Sequence, residues 1–115
     1  MDLVQQRCKP CEGGTKPFTQ SEVEHYLASL SGWEFDQQKK ISKRFKCKNF
    51  VRAIEFVNTV SKIAEREGHH PNICIYYSTV KFELFTHAIG GLSINDFIMA
   101  AKIDQCFHKN SASLS

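Results

Sequence analysis

The chain has 115 residues, with 42% hydrophobic and 23% charged side chains and a formal net charge of +3. That length suits one core, the composition excludes wholesale disorder, and so mild a charge neither demands nor excludes a nucleic-acid partner. No apolar run approaches the ~20 residues that span a bilayer, and Met1–Arg7 lacks the apolar stretch of a signal peptide, so a cytoplasmic protein with no membrane partner is expected.

Residues 1–18 hold much of the Pro and Gly and show no periodicity, which predicts an extended or mobile lead-in. Thr19-Gln20-Ser21-Glu22 is a capping-box pattern, and Val23, Tyr26, Leu27 and Leu30 recur at helical spacing up to Gly32. A first helix over 20–31 follows. Trp33-Glu34-Phe35 alternates as a short strand, Asp36-Gln37-Gln38 forms a polar turn, and Lys40–Cys47 sets Ile41, Phe45 and Cys47 against Ser42, Arg44 and Lys46. This predicts a hairpin with one wet face. Asn49 then caps a long helix over 50–67, whose stripe is Phe50, Ala53, Ile54, Val57, Val60 and Ala64, closed by Gly68 and Pro71.

Ile73–Tyr77 and Val80–Thr86 are strand-like, with Ser78-Thr79 between them, and Val80, Phe82 and Leu84 face opposite to Lys81, Glu83 and Phe85. After Gly90-Gly91, Ser93-Ile94-Asn95-Asp96 caps a last helix with Phe97, Ile98, Ala101 and Gln105 on its inner side. The order α-β-β-α-β-β-α predicts an α+β fold, a four-stranded antiparallel sheet with the helices on one face. One domain is expected over 19–108, with a frayed tail at 109–115. The outer sheet face, carrying Phe35 or Phe85 among charges, is a candidate assembly surface.

Five cysteines, three inside regular elements, suggest free thiols in a reducing compartment. Cys8 and Cys11 form a lone C-x-x-C, best read as a loop with two ordinary thiols. The run Lys39, Lys40, Lys43, Arg44, Lys46, Lys48 reads as a solvated strand face, since it lacks the interleaved aromatics of a single-strand binder. Trp33 is assigned to core or interface.

Three histidines stand apart. His69 and His70 follow the end of the long helix, and His87 ends a strand just before Gly90-Gly91, where the backbone can approach a ligand closely. Imidazole exchanges protons near neutral pH, and rings delivered by element ends on one sheet rim suit proton transfer on a small molecule. Helix carbonyls favour an imidazolium at the pair, and Glu65, one turn before His69, could orient that ring. Zinc held by Glu65, His69, His70 and His87 is disfavoured because adjacent histidines converge poorly on one ion.

The pattern Glu65-x-x-x-His69-His70-Pro71, Tyr77, His87, Asp96 resembles the signature of the pterin-4a-carbinolamine dehydratases. Gly32-Trp33, Phe45 to Phe50, Gly91-Leu92-Ser93 and the Cys-x-Pro-Cys-x-Gly-Gly lead-in agree with it. The resemblance implies a four-stranded antiparallel sheet with three helices on one face. It implies dehydration of a 4a-hydroxytetrahydropterin to the quinonoid dihydropterin, with no metal and no organic cofactor. His69 and His87 would be the acid–base pair, His70 a binding and orienting ring with a share in proton transfer left open, and Glu65 the residue that tunes His69. Gly68, Pro71, Phe85, Thr86 and Ala88 would contact substrate. A homodimer or homotetramer is implied, with an aromatic amino acid hydroxylase as the source of substrate. Eukaryotic members also serve as dimerisation cofactors of a homeodomain transcription factor. The rival reading is a non-catalytic binding module that stabilises a partner's dimer or regulates a hydroxylase.

Overall fold

The computed structural model describes residues 2–10, 16–36 and 40–110. Its helices are α1 (Gln20–Leu27), α2 (Phe50–Glu67) and α3 (Ile94–Lys109), and its strands β1 (Glu34–Phe35), β2 (Ile41–Lys46), β3 (Asn72–Tyr76) and β4 (Thr79–Leu84). The strands form one antiparallel sheet in the order β1-β2-β4-β3. The helices cover one face, so the architecture is the α+β fold expected. No helix among the described residues is long and apolar enough to cross a membrane.

Alternation decides which strand residues meet the helices. Ile41, Phe45, Val80, Phe82 and Leu84 point inward and are buried, against Ala53, Phe56 and Val60 of α2 and Phe97, Ile98 and Ile103 of α3. Phe45, Phe56 and Phe82 interlock edge to face at centroid distances of 5.2 to 5.8 Å, an arrangement that adds quadrupolar attraction to area burial.

The long helix keeps its predicted limits. Asn49 caps it by accepting from the Arg52 N–H at 2.9 Å, and Gly68 ends it in the left-handed region at φ 68°. The first helix is shorter than expected. Ser29 donates its hydroxyl to the Tyr26 carbonyl at 2.8 Å, and the chain tightens into i→i+3 bonds from there, so regular helix stops at Leu27. In the last helix Gln105 is exposed, and the inner side runs through Ile103 and Cys106 instead.

Four other expectations change. The β3–β4 turn is Tyr77-Ser78, with Tyr77 at φ 56°, and strand β4 stops at Leu84, so His87 opens a 3-10 turn over His87–Ile89. Phe35 pairs with Ile41 and therefore lies on the helix side of the sheet at its edge, while Phe85 follows Leu84 to the other side. Lys43 is not solvated: it bonds Asp104 and the Ser31 carbonyl, both at 2.8 Å, and Trp33, buried in the core, donates to the same Asp104 at 3.0 Å.

The lead-in is not extended throughout: Leu3–Gln5 form a 3-10 turn capped by Asp2, and residues 2–10 are docked on the domain. Leu3 is buried, the Val4 carbonyl accepts from Lys102 Nζ at 2.8 Å, and the Cys8 N–H donates to Glu67 at 2.9 Å. Cys11, Gln37, Gln38 and the tail beyond Asn110 lie outside the described residues.

Candidate active site

The two halves of the site come from the end of α2 and from the β4–α3 connection. Gly68 turns the chain out of α2, so that the amides of both Gly68 and His69 return to the Ala64 carbonyl, at 2.9 and 3.2 Å. His69 and His70 then leave the helix in different directions. On the other side Thr86 and Gly91 form an isolated antiparallel bridge, Thr86 N–H to Gly91 carbonyl at 2.9 Å. The bridge closes the 3-10 turn that carries His87. Gly91 is needed here because a Cβ would lie 2.5 Å from Pro17 Cβ, so the close approach expected near Gly90-Gly91 is made by the chain itself.

The three histidines line one cleft of about 270 Å³ with Gly68, Phe85, Thr86 and Ala88. His87 is exposed, with Phe85 edge-on to its ring at 5.0 Å. Pro71 and Glu65 lie beyond His70, in a neighbouring apolar groove of about 370 Å³ with Ala64 and Ile73.

The carboxylate on His69 is Asp96, not Glu65. Its Oδ1 stands 2.6 Å from His69 Nε2, and the Asp96 side chain is fully buried. Oδ2 accepts from the Thr86 hydroxyl at 2.7 Å and from the Ser93 N–H at 3.0 Å. Since Thr86 gives its proton to Asp96, Ser93 must donate across the 2.9 Å contact between the two hydroxyls, and Ser93 in turn accepts from the Asn95 N–H at 3.2 Å. An ionised carboxylate accepts only, so the proton on His69 belongs on Nε2, leaving Nδ1 as the uncommitted nitrogen. One oxygen of Asp96 thus completes the capping box of α3 and the other fixes a histidine tautomer. Glu65 instead meets His70, Oε2 to Nε2 at 2.5 Å, in a pair open to solvent.

Three lining residues carried no signal readable along the chain: Lys9 and Pro10 of the lead-in, and Asn95 of α3. The Cys8 thiol beside them is pushed up to about 12 by burial and by the Glu67 carboxylate, the reverse of what a redox-active C-x-x-C thiol requires. Among the described residues no group of three His, Cys, Asp or Glu side chains is arranged to hold a metal ion.

The family model for pterin 4 alpha carbinolamine dehydratase matches residues 16–106. A Nitrosospira multiformis protein provisionally named pterin-4-alpha-carbinolamine dehydratase is 48% identical over 106 residues, covering 92% of this chain and 93% of that one. A Rickettsia canadensis protein of the same provisional name is 43% identical over 103 residues, covering 89% and 94%. The crystal structure of a transcriptional coactivator/pterin dehydratase from Brucella melitensis matches with a TM-score of 0.76 and 33% identity, over 79% of this chain and 98% of its own. Matched by that family model over residues 16–106 and by relatives of this identity over nearly its whole length, the chain belongs to the pterin-4a-carbinolamine dehydratase family of hydro-lyases.

Proposed function

We propose that this chain converts a 4a-hydroxytetrahydropterin to the quinonoid dihydropterin and water by histidine acid–base catalysis, recycling the cofactor of aromatic amino acid hydroxylases. The observation that carries this reading is the meeting of His69, His70 and His87 on one cleft, with a buried carboxylate behind His69. In the reaction the C4a–O bond breaks as a proton reaches the leaving oxygen, and a ring N–H proton is removed as the C=N bond forms. One acid and one base are enough.

His69 suits the base. With Nε2–H committed to Asp96, Nδ1 offers a lone pair, and the imidazolium formed on accepting a proton faces the Asp96 carboxylate. His87, on the solvent side of the cleft, suits the acid and can exchange its proton with water. His70 and the edge of Phe85 flank the ring, and Gly68, Thr86 and Ala88 present backbone beside it. Association of copies belongs to the same reading, with edge strand β3 and its exposed Ile75 and Tyr76 as the surface and light scattering as its check.

The test is stopped-flow decay of 4a-hydroxytetrahydropterin generated by a phenylalanine hydroxylase, with and without the protein. Saturable acceleration, abolished in the His69→Ala/His87→Ala double variant while the fold persists, is the expected result. No acceleration by the folded native chain overturns the enzyme and leaves the binding module.

A further inference from the structure

One wall of the cleft comes from the lead-in. Lys9 and Pro10 line the same cleft as the three histidines. Their position is fixed by bonds that reach across almost the whole chain. Asn95 grips the Lys9 backbone from both sides: the Lys9 N–H donates to Oδ1 at 3.0 Å, and Nδ2 donates to the Lys9 carbonyl at 2.6 Å. The preceding residues are anchored on Glu67, at the last turn of α2. Its Oε1 accepts the Cys8 N–H at 2.9 Å and its Oε2 lies 2.9 Å from Arg7 Nε, with Lys102 Nζ 3.8 Å away. These two anchors, Glu67 and Asn95, flank the residues that carry the chemistry: Glu67 stands two before His69, and Asn95 one before Asp96.

Backbone held by buried side chains at both ends is positioned, not draped. Lys9 itself is exposed, and its ammonium has no ion-pair partner among the described residues. A cation on the rim of a small-molecule cleft, with a rigid backbone behind it, suits a hydrogen-bond acceptor on the bound molecule.

We propose that Arg7–Pro10 is a built wall of the reaction cleft, in which Lys9 binds an oxygen acceptor of the substrate and Asn95 is the positioning residue that holds it there. This rests on the dehydratase reading, so its test includes binding without turnover. The probe is 7,8-dihydrobiopterin, a stable pterin that cannot be dehydrated, measured by equilibrium dialysis against the full chain.

Lys9→Met is expected to raise both Kd for that probe and KM for the 4a-hydroxy substrate about tenfold, the scale of one hydrogen bond to a charged group. kcat should stay within about twofold. Lys9→Arg should recover most of the affinity. Asn95→Ala should reproduce the rise in KM and also speed hydrogen exchange at the Lys9 amide, which a purely local defect in α3 would not. Should Asn95→Ala fail to fold, the exposed Lys9 variants carry the test alone. Unchanged Kd and KM in a folded Lys9→Met protein overturns the proposal, as does a loss confined to kcat. Failure of the native chain to bind any pterin would instead overturn the dehydratase reading.

Discussion

Replacing Asp96 by Asn separates the two tasks that its carboxylate performs. The amide is nearly the same shape, and its oxygen will keep the Thr86 hydroxyl and the Ser93 N–H, since turning the NH₂ toward them would set donors against two donors. The NH₂ then faces His69 Nε2, which must accept, and the ring proton moves to Nδ1. Stability should fall modestly. Converting a charge-assisted bond to a neutral one costs about 1 kcal/mol, and removing negative charge from the first turn of α3 costs about 0.3–1 kcal/mol. A total of about 1–2 kcal/mol lowers Tm by roughly 4–8 °C for a chain of this size. Turnover should fall far more, by about 10²–10⁴, because a base holding its proton on the wrong nitrogen cannot take another. Stopped-flow kinetics measure the rate, and ¹⁵N shifts of the His69 ring report the tautomer independently of activity. A variant whose ring proton has moved while kcat stays within about threefold of native would refute the assignment of His69 as base.

Glu65→Gln removes the partner of His70 from an exposed pair, so Tm should move by less than about 2 °C and kcat/KM should fall less than about tenfold; a loss as large as that of Asp96→Asn would shift the principal base to His70. Gly91→Ala drives a methyl to within 2.5 Å of Pro17, and overpacking of that kind costs about 1–3 kcal/mol; thermal melts should show it, and pterin affinity should weaken as the Thr86 bridge loosens. Burial alone would raise the carboxyl of Glu67, but the Cys8 N–H, the Arg7 guanidinium and the Lys102 ammonium outweigh it and hold the group below its ordinary 4.5. Its contribution to stability is therefore complete above that pH and is lost as pH falls through the lower folded value. Native Tm should drop in this acid window, and Glu67→Gln should flatten the drop; parallel curves for the two proteins would count against the clamp.

The limits of the long helix are legible because their signals are local, a cap at Asn49 and a stop at Gly68. Its predicted stripe is partly wrong: Phe50 is exposed, and Phe56, absent from the stripe, is fully buried. The last helix is less legible. Wedged between sheet, α2 and the docked lead-in, it buries Met99, Ala100, Lys102 and Ile103 on several sides, and a helix covered nearly all round has no single stripe to betray its orientation. Sequence spacing misassigns the partner of His69 for a similar reason. Helical spacing points from Glu65 to His69, but the left-handed Gly68 breaks that spacing, so His69 turns to Asp96, 27 positions on, and His70 receives Glu65. The docked lead-in gave no warning at all. Its bonds are to Glu67 and Asn95, and periodicity cannot see contacts of that separation.

The grip of Asn95 on Lys9 joins residues 86 positions apart. Closing a loop of that length costs about 4 kcal/mol of chain entropy, and a contact so distant tends to form after the local elements have condensed. A nascent chain holding only α1, the sheet and α2 has the histidine pair in place but nothing to grip Lys9. Glu67 of α2 can already hold Arg7 and Cys8, but Lys9 is fixed only once α3 supplies Asn95, which ties completion of the site to completion of folding.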